Sequence, residues 1–287
     1  MKINKVSPDT HPFLQITTTI SHAPKTLYYI GNLPAERAPT LAIIGTRKPT
    51  PYGREVTTRL AGELARRGII IVSGLALGID GIAHQATVDA GGIAIAILGN
   101  PLPDIRPATN RQLAESILKK GGAIISEYGP DDHYTVGKWS FLERNRIVAG
   151  LSDAILITEA STKSGTLNTA ARALEQGKEV FVVPGNITSP SSQGCNELIK
   201  QGARLVASAD DILEVIAPTV HTAQTSLPFG TNQLESDIIV LLARGERDGE
   251  VIQQTLVSDP SEFNVALTML EINGAITSLG ANQWTLR

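Results

Sequence analysis

Six turns in this chain are built from residues that can hold an anion. GTRKPTPYG (45–53), SGLALGIDGIAH (73–84), GNPLP (99–103), SEYGP (126–130), EASTKSGTLNT (159–169) and PGNITSPSSQG (184–194) are rich in small residues, and each follows a short apolar run. Glycine and serine let backbone N–H groups approach an anion closely. A helix starting in such a turn adds a partial positive charge, worth about 0.3–1 kcal/mol at an exposed site. Arg47 and Lys48 in the first turn and Lys163 in the fifth add full cations. Tight strand-to-helix turns need glycine for their own geometry, so one turn decides nothing; the recurrence points to an anion.

The segment KWSFLERNR (138–146) adds another pattern, cations interleaved with aromatics. Single-stranded nucleic acid is held by a basic groove along its phosphates and by aromatic faces that stack on its bases, at about 1–3 kcal/mol per base. Phe141 is the stacking candidate, whereas core packing is the plainer expectation for Trp139. Arg144 and Arg146 are two apart and point to different faces of a helix, so one of them faces away from any ligand.

The elements that must position these turns are read from the apolar runs 41–44, 69–72, 93–98, 123–125, 154–157 and 180–183. They are near-continuous rather than alternating, as expected of strands buried on both faces of a parallel sheet. Amphipathic stretches such as YGREVTTRLAGELARRG and SGTLNTAARALEQG separate them, each closing on a glycine suited to a helix C-terminus. The fold class expected is α/β: an extended, Rossmann-like, doubly wound and mostly parallel sheet over residues 31–217. In such sheets ligands sit outside the carboxyl ends of the strands. Residues 1–30 lack periodicity and read as an arm. PTVHTAQTSLPFGTN places a linker at 218–232, and helices followed by a short hairpin suggest a small winged-helix domain over 233–287.

Composition narrows the function classes. With a net charge of −3, a surface basic throughout is excluded and any anion site is local. The single cysteine, Cys195, cannot form an internal disulfide, no Cys and His cluster has zinc spacing, and no apolar stretch reads as a signal peptide or membrane span. A cytoplasmic protein without metal or cofactor is expected. The first turn is not G-x-G-x-x-G and no G-x-x-x-x-G-K-[ST] run exists, which removes the best grounds for dinucleotide or ATP chemistry.

The segments IGTRKPTPYG, SGLALGIDGIAHQA, FLERNRIVAGLSDAILITEASTKSGTLNTAARALEQGKEVFVVPG and GCNELIKQGA, in this order over residues 30–216, resemble the DNA-processing protein A (DprA/Smf) family. The resemblance implies a non-enzymatic protein that binds single-stranded DNA, dimerises through its Rossmann-like domain and loads RecA recombinase during transformation. It implies a DNA site made of Arg47 in the Gly45–Thr46–Arg47 turn, of Ser73 and Gly74, of Lys138 and Phe141, of Arg144 and Asn145 in an R-N-R signature completed by Arg146, and of Ser164 and Gly165, beside which the loop cation Lys163 is the further candidate. The chain departs from the family pattern at Leu77, commonly Arg, and at Arg106–Pro107, commonly Tyr-Pro.

Other constellations carry less. Asp80 and His84 share a helical face and could form an acid–base or metal pair, but a first-turn acid favoured by the helix dipole, with the histidine hydrogen-bonded nearby, explains them more simply. Glu127 and Glu159 end strands on the ligand rim, where a carboxylate suits loop amides better than phosphates. Residues 231–287 carry three basic and eight acidic residues, a balance of −5, and SEFNVALTMLE has no Lys or Arg, which argues against duplex reading by the C-terminal module. The enzyme alternative is a nucleotide hydrolase on a related scaffold of the lysine-decarboxylase-like phosphoribohydrolases, suggested by GTLNTAAR and Glu159. Those enzymes share a P-G-G-x-G-T pattern, and here S-T-K-S precedes Gly165–Thr166.

Overall fold

The computed structural model describes residues 2–132, 137–218, 230 and 232–286. The chain divides into two compact units, Met1–Val220 and His221–Arg287. The linker expected at 218–232 lies largely outside the described residues.

The first unit is an α/β layer structure. Its strands, in chain order, are β1 (Asn4–Val6), β2 (Leu27–Gly31), β3 (Thr40–Ile44), β4 (Ile70–Ser73), β5 (Ala94–Leu98), β6 (Ala123–Ser126), β7 (Ala154–Ile157), β8 (Glu179–Val182) and β9 (Arg204–Leu205). They lie side by side as β1-β2-β6-β5-β4-β3-β7-β8-β9. From β6 through to β9 all pairings are parallel, and β1 and β2 join antiparallel at one edge. Every residue of β3 to β7 is buried, which is why those runs are continuously apolar. One cluster, holding Ala42, Val72, Ile95 and Ile155, packs on one face of the sheet. A second, holding Leu41, Ile43, Ile71 and Phe181, packs on the other.

The helices are α1 (Pro51–Arg66), α2 (Ile79–Asp89), α3 (Arg111–Lys119), α4 (Lys138–Leu151), α5 (Thr166–Glu175), α6 (Gln193–Lys200) and α7 (Asp210–Ile216). Helix α1 starts as its sequence directs: Pro51 occupies the first turn and the Thr50 side chain accepts from the Gly53 N–H at 3.2 Å. It gives way to Gly68, at a φ of +80°, where a side chain would be strained.

Residues 1–30, expected as an arm, are built into the sheet. Strand β2 pairs with β6, β1 pairs with β2, and Phe13 and Leu14 are fully buried, with the Arg37 guanidinium 5.5 Å from the Phe13 ring centre. Arg146 holds the same region. Its guanidinium donates twice to the Glu127 carboxylate, at 2.7 and 2.9 Å, and once to the His22 carbonyl at 2.9 Å. Glu127, expected on loop amides, is instead the partner of this buried arginine.

His84, fully buried on α2, makes no side-chain hydrogen bond to a described residue, where a bond near Asp80 was expected. Burial pushes its pKa down to about 4. Cys195 is also buried and its thiol is pushed up to about 12 by desolvation, so it is not a reactive group.

The second unit contains α8 (Gln233–Ala243), α9 (Gly249–Leu256), α10 (Pro260–Ile272) and the hairpin β10 (Ile276–Gly280) with β11 (Gln283–Leu286). Asn232, Asp248 and Asp259 each accept from backbone N–H groups of the first turn of the helix they precede. Ile238, Ile252, Phe263, Leu267 and Ile276 form a core separate from that of the first unit.

Arg146→Ala leaves the Glu127 carboxylate without its partner and lowers unfolding stability by about 3 kcal/mol, read from urea denaturation; a loss under about 1 kcal/mol would show the pair to be solvated. His84 is neutral when folded and protonates more readily when unfolded, so its contribution is complete above pH 6.5 and is lost as the pH falls towards 4. Over that window wild type loses up to about 3 kcal/mol relative to His84→Leu; parallel stability curves for the two proteins would refute this.

Candidate nucleic-acid interface

Strand β3 sits where the winding reverses, since the chain runs from it to β4, β5 and β6 on one side and later returns to β7, β8 and β9 on the other. Loops after the two strands on either side of such a point diverge and leave a crevice. An open cleft of about 530 Å³ lies there. Its walls are Gly45, Thr46 and Arg47 after β3, Ala76 and Asp80 after β4, the α4 residues Phe141, Leu142, Arg144 and Asn145, and Ser161, Ser164, Gly165, Thr166 and Thr169 after β7. A smaller depression of about 190 Å³ adjoins it, lined by Gly74, Leu77 and Arg106, with Arg47, Phe141 and Arg144 shared between the two.

The structure therefore gathers most of the expected residues. Gly45, Thr46, Arg47, Phe141, Arg144, Asn145, Ser164 and Gly165 share one cleft, and Gly74 lies beside it. Ser73 does not reach either wall: it is fully buried and its hydroxyl donates to the Ile43 carbonyl at 2.6 Å, fastening β4 to β3. Lys163 is exposed on its loop and not part of the walls. Lys138 opens α4, and its side chain lies outside the described residues. Trp139, expected in the core, is 55% exposed, while Phe141 is the half-buried ring of the pair.

Arg144 sets the chemistry of the cleft. It is 7% exposed, and its Nη1 donates to the Gly74 carbonyl at 2.8 Å and to the Ile97 carbonyl. Gly74 makes this possible, since a Cβ there would stand 2.4 Å from the Arg144 guanidinium. Asp80, also buried, accepts from the Gly74 N–H at 3.1 Å and faces the same guanidinium without an ion-pair contact. Desolvation depresses the Arg144 pKa to about 10, Asp80 opposes that effect, and Arg47 adds to it. Asp80 is itself raised by burial. Arg144 stays charged at neutral pH, and Arg47 brings a second positive charge to the same walls without a carboxylate partner among the described residues. Such a site favours an anion.

Glu159 stitches the two central loops together. Its carboxylate accepts from the Thr50 N–H at 2.8 Å and the Thr50 hydroxyl at 2.7 Å, and its carbonyl accepts the Thr46 N–H at 2.8 Å. The expectation that this acid satisfies loop amides holds. It also means that the Thr46 amide points into the protein rather than into the cleft. The sequence marks Glu159 for this role through its place at the end of a buried strand, but not Asp80, which sits in the first turn of α2 and reads as a helix-dipole partner.

Gly165 behaves differently from the other glycines. Its φ of −60° suits any residue, and a Cβ built on it would meet nothing within 4 Å. The fold itself does not require glycine there. Ser164 orders the turn by accepting from the Thr166 N–H at 3.2 Å and bonding the Thr166 hydroxyl at 2.8 Å. This leaves the Gly165 N–H, with no acceptor among the described residues, at the start of α5 and in the cleft wall. Small groups with a free amide at a helix start bind phosphate-like oxygens. Among the described residues there is no cluster of His, Cys, Asp and Glu that could hold a metal, and no helix long and apolar enough to cross a membrane.

Comparison with known proteins agrees with this architecture. A family model described as DNA recombination-mediator protein A matches residues 6–217. Protein Smf of Escherichia coli is 45% identical over 69% of this chain, a match that spans only 52% of that relative. DNA processing protein DprA of Bacillus subtilis is 40% identical over 78% of this chain and 73% of its own. The solved structure of DNA processing protein A from Streptococcus pneumoniae superposes with a TM-score of 0.68 at 37% identity, covering 75% of each chain. That of DNA processing protein A from Helicobacter pylori, reported for its single-stranded DNA binding mode, gives 0.65 at 34% identity over 75% of this chain and 95% of that one. The sheet order, the cleft at its reversal point and these matches together place the chain in the DNA recombination-mediator protein A (DprA/Smf) family.

Proposed function

We propose that this protein binds single-stranded DNA in the cleft at the reversal point, as a binding protein rather than an enzyme. The observation that carries the reading is the meeting, in one open cleft, of a half-buried phenylalanine ring, an unobstructed glycine amide and two arginines that form no ion pair with a described residue. Phosphates meet Arg47, Arg144 and the α5 start, and a base stacks on Phe141. The Helicobacter pylori relative named for a single-stranded DNA binding mode supports the ligand class. Because contacts go to phosphates and to a ring face, binding is indifferent to sequence.

The finer reading follows the family resemblance: a cytoplasmic homodimer, paired through the first unit, that holds incoming strands and passes them to RecA recombinase. The three helices and hairpin of the second unit fit a winged-helix module. Its acidic balance, −5 over residues 231–287, suits a protein contact rather than a second DNA contact. The phosphoribohydrolase alternative needs a free acid, and Glu159 has both carboxylate oxygens committed to Thr50.

Binding is measured by fluorescence anisotropy of labelled oligo-dT, with unlabelled single strand and duplex as competitors. Arg47→Ala weakens binding about tenfold and lowers the salt slope by about 0.7, the share of one phosphate contact; an unchanged slope would displace the site from this cleft. Gly165→Ala separates binding from folding. Its thermal midpoint stays within about 2 °C of wild type, because the new methyl group meets open space, while affinity falls about fivefold. Equal affinity in a folded variant would show that no phosphate approaches this amide.

A further inference from the structure

A second groove leaves the cleft at Arg47. It has a volume of about 520 Å³ and runs between the start of α1, the turn after β4 and the start of α3. Its walls include Arg47, Arg54, Leu77, Gln85, Asn110 and Gln112, and no carboxylate is among its described lining residues. That is notable in a chain with an excess of acidic side chains.

Arg54 is the residue that the fold does not explain. It occupies the first turn of α1, where the helix dipole disfavours a cation. It is exposed, and it forms no ion pair with a described residue. Leu77 is 48% exposed on the saddle between this groove and the smaller depression, offering an apolar face beside the two arginines. The turn carrying it is held rigid, since the Asn110 amide donates to the Leu75 and Ala76 carbonyls at 2.9 and 3.1 Å.

We infer that this groove is the continuation of the polynucleotide path, taking the phosphates of nucleotides that flank those in the cleft. The inference rests on the reading of the cleft as a single-stranded DNA site. Continuity through Arg47 and the lack of acidic groups select a polyanion, and a flexible single strand can follow the bend over Leu77. Arg54 then supplies a flanking phosphate contact, and the Gln85 and Gln112 amides border it. In this geometry the footprint of the protein is longer than the cleft.

The test is the affinity of the full chain for oligo-dT strands of about six and about twenty nucleotides, lengths spanning the site sizes of about 4–16 common in single-strand grooves. Arg54→Ala and Gln112→Glu, both at exposed positions, are compared with wild type at several salt concentrations. The expected result is about a fivefold loss for the long strand, an unchanged affinity for the short one, and a salt slope reduced by about 0.7 for Arg54→Ala on the long strand only. Loss on neither strand, or equal loss on both, would overturn the groove while leaving the cleft reading intact. Failure of wild type to bind either strand would overturn both.

Discussion

The site depends on keeping one arginine charged inside the protein. Arg144 lies at the carboxyl edge of the sheet with 7% of its surface exposed, and charge in that setting is tolerable only where hydrogen bonds replace water. The replacement comes from the backbone: the carbonyls of Gly74 and Ile97 accept from the guanidinium, and Asp80 braces the turn that presents the first of them. Gly74 is small because the guanidinium occupies the space its side chain would need. Satisfaction is incomplete, since Asp80 stands off without direct contact and Arg47 adds a second positive charge. A bound anion between the two arginines removes that repulsion. On the proposed reading the fold has therefore assembled its anion site before any ligand arrives.

The loops around this arginine are held by one another rather than by their ligand. Glu159 bonds Thr50 across the reversal point, the Thr46 amide turns inward to the Glu159 carbonyl, and the Thr46 carbonyl accepts the Ile79 N–H at 3.1 Å. Gly78 lets that last contact form, because a Cβ on it would come within 2.3 Å of the Thr46 oxygen. Glycines that look like phosphate turns thus serve two purposes. Gly74 and Gly78 admit other parts of the protein, whereas Gly165 admits nothing that the protein itself supplies.

That division explains what could be read from the sequence. Strands β3 to β8 were legible to within a residue or two because burial on both faces demands unbroken apolar runs. Strands β1 and β2 were not, because one is three residues long and the other sits towards an antiparallel edge with mixed burial. The residue types of the cleft were legible, and so was the opposition of Arg144 to Arg146. Which groups turn inward was not. Ser73 and the Thr46 amide look available in a one-dimensional reading, and only the neighbouring strand shows that both are already bonded. Trp139, expected in the core, faces outward while Phe141 lines the cleft, because two aromatics two residues apart on a helix face differently and hydrophobicity alone does not say which face is inward.

The same logic accounts for an anion site in an acidic chain. Net charge governs long-range attraction, which at physiological ionic strength fades over about 8 Å. Inside a cleft the nearest charges decide. Here the acids closest to the ligand path already have partners: Glu159 is spent on Thr50, Asp80, itself part of the cleft wall, on the Gly74 turn, and Glu127 on Arg146, each buried or half-buried. The arginines that remain towards the opening, Arg47 and Arg54, have no such partners among the described residues. A polyanion therefore meets positive charge along the rim even though the molecule as a whole repels it. Attraction then arises mainly at contact range, which under the proposed function suits a thin, flexible strand that can follow the cleft closely.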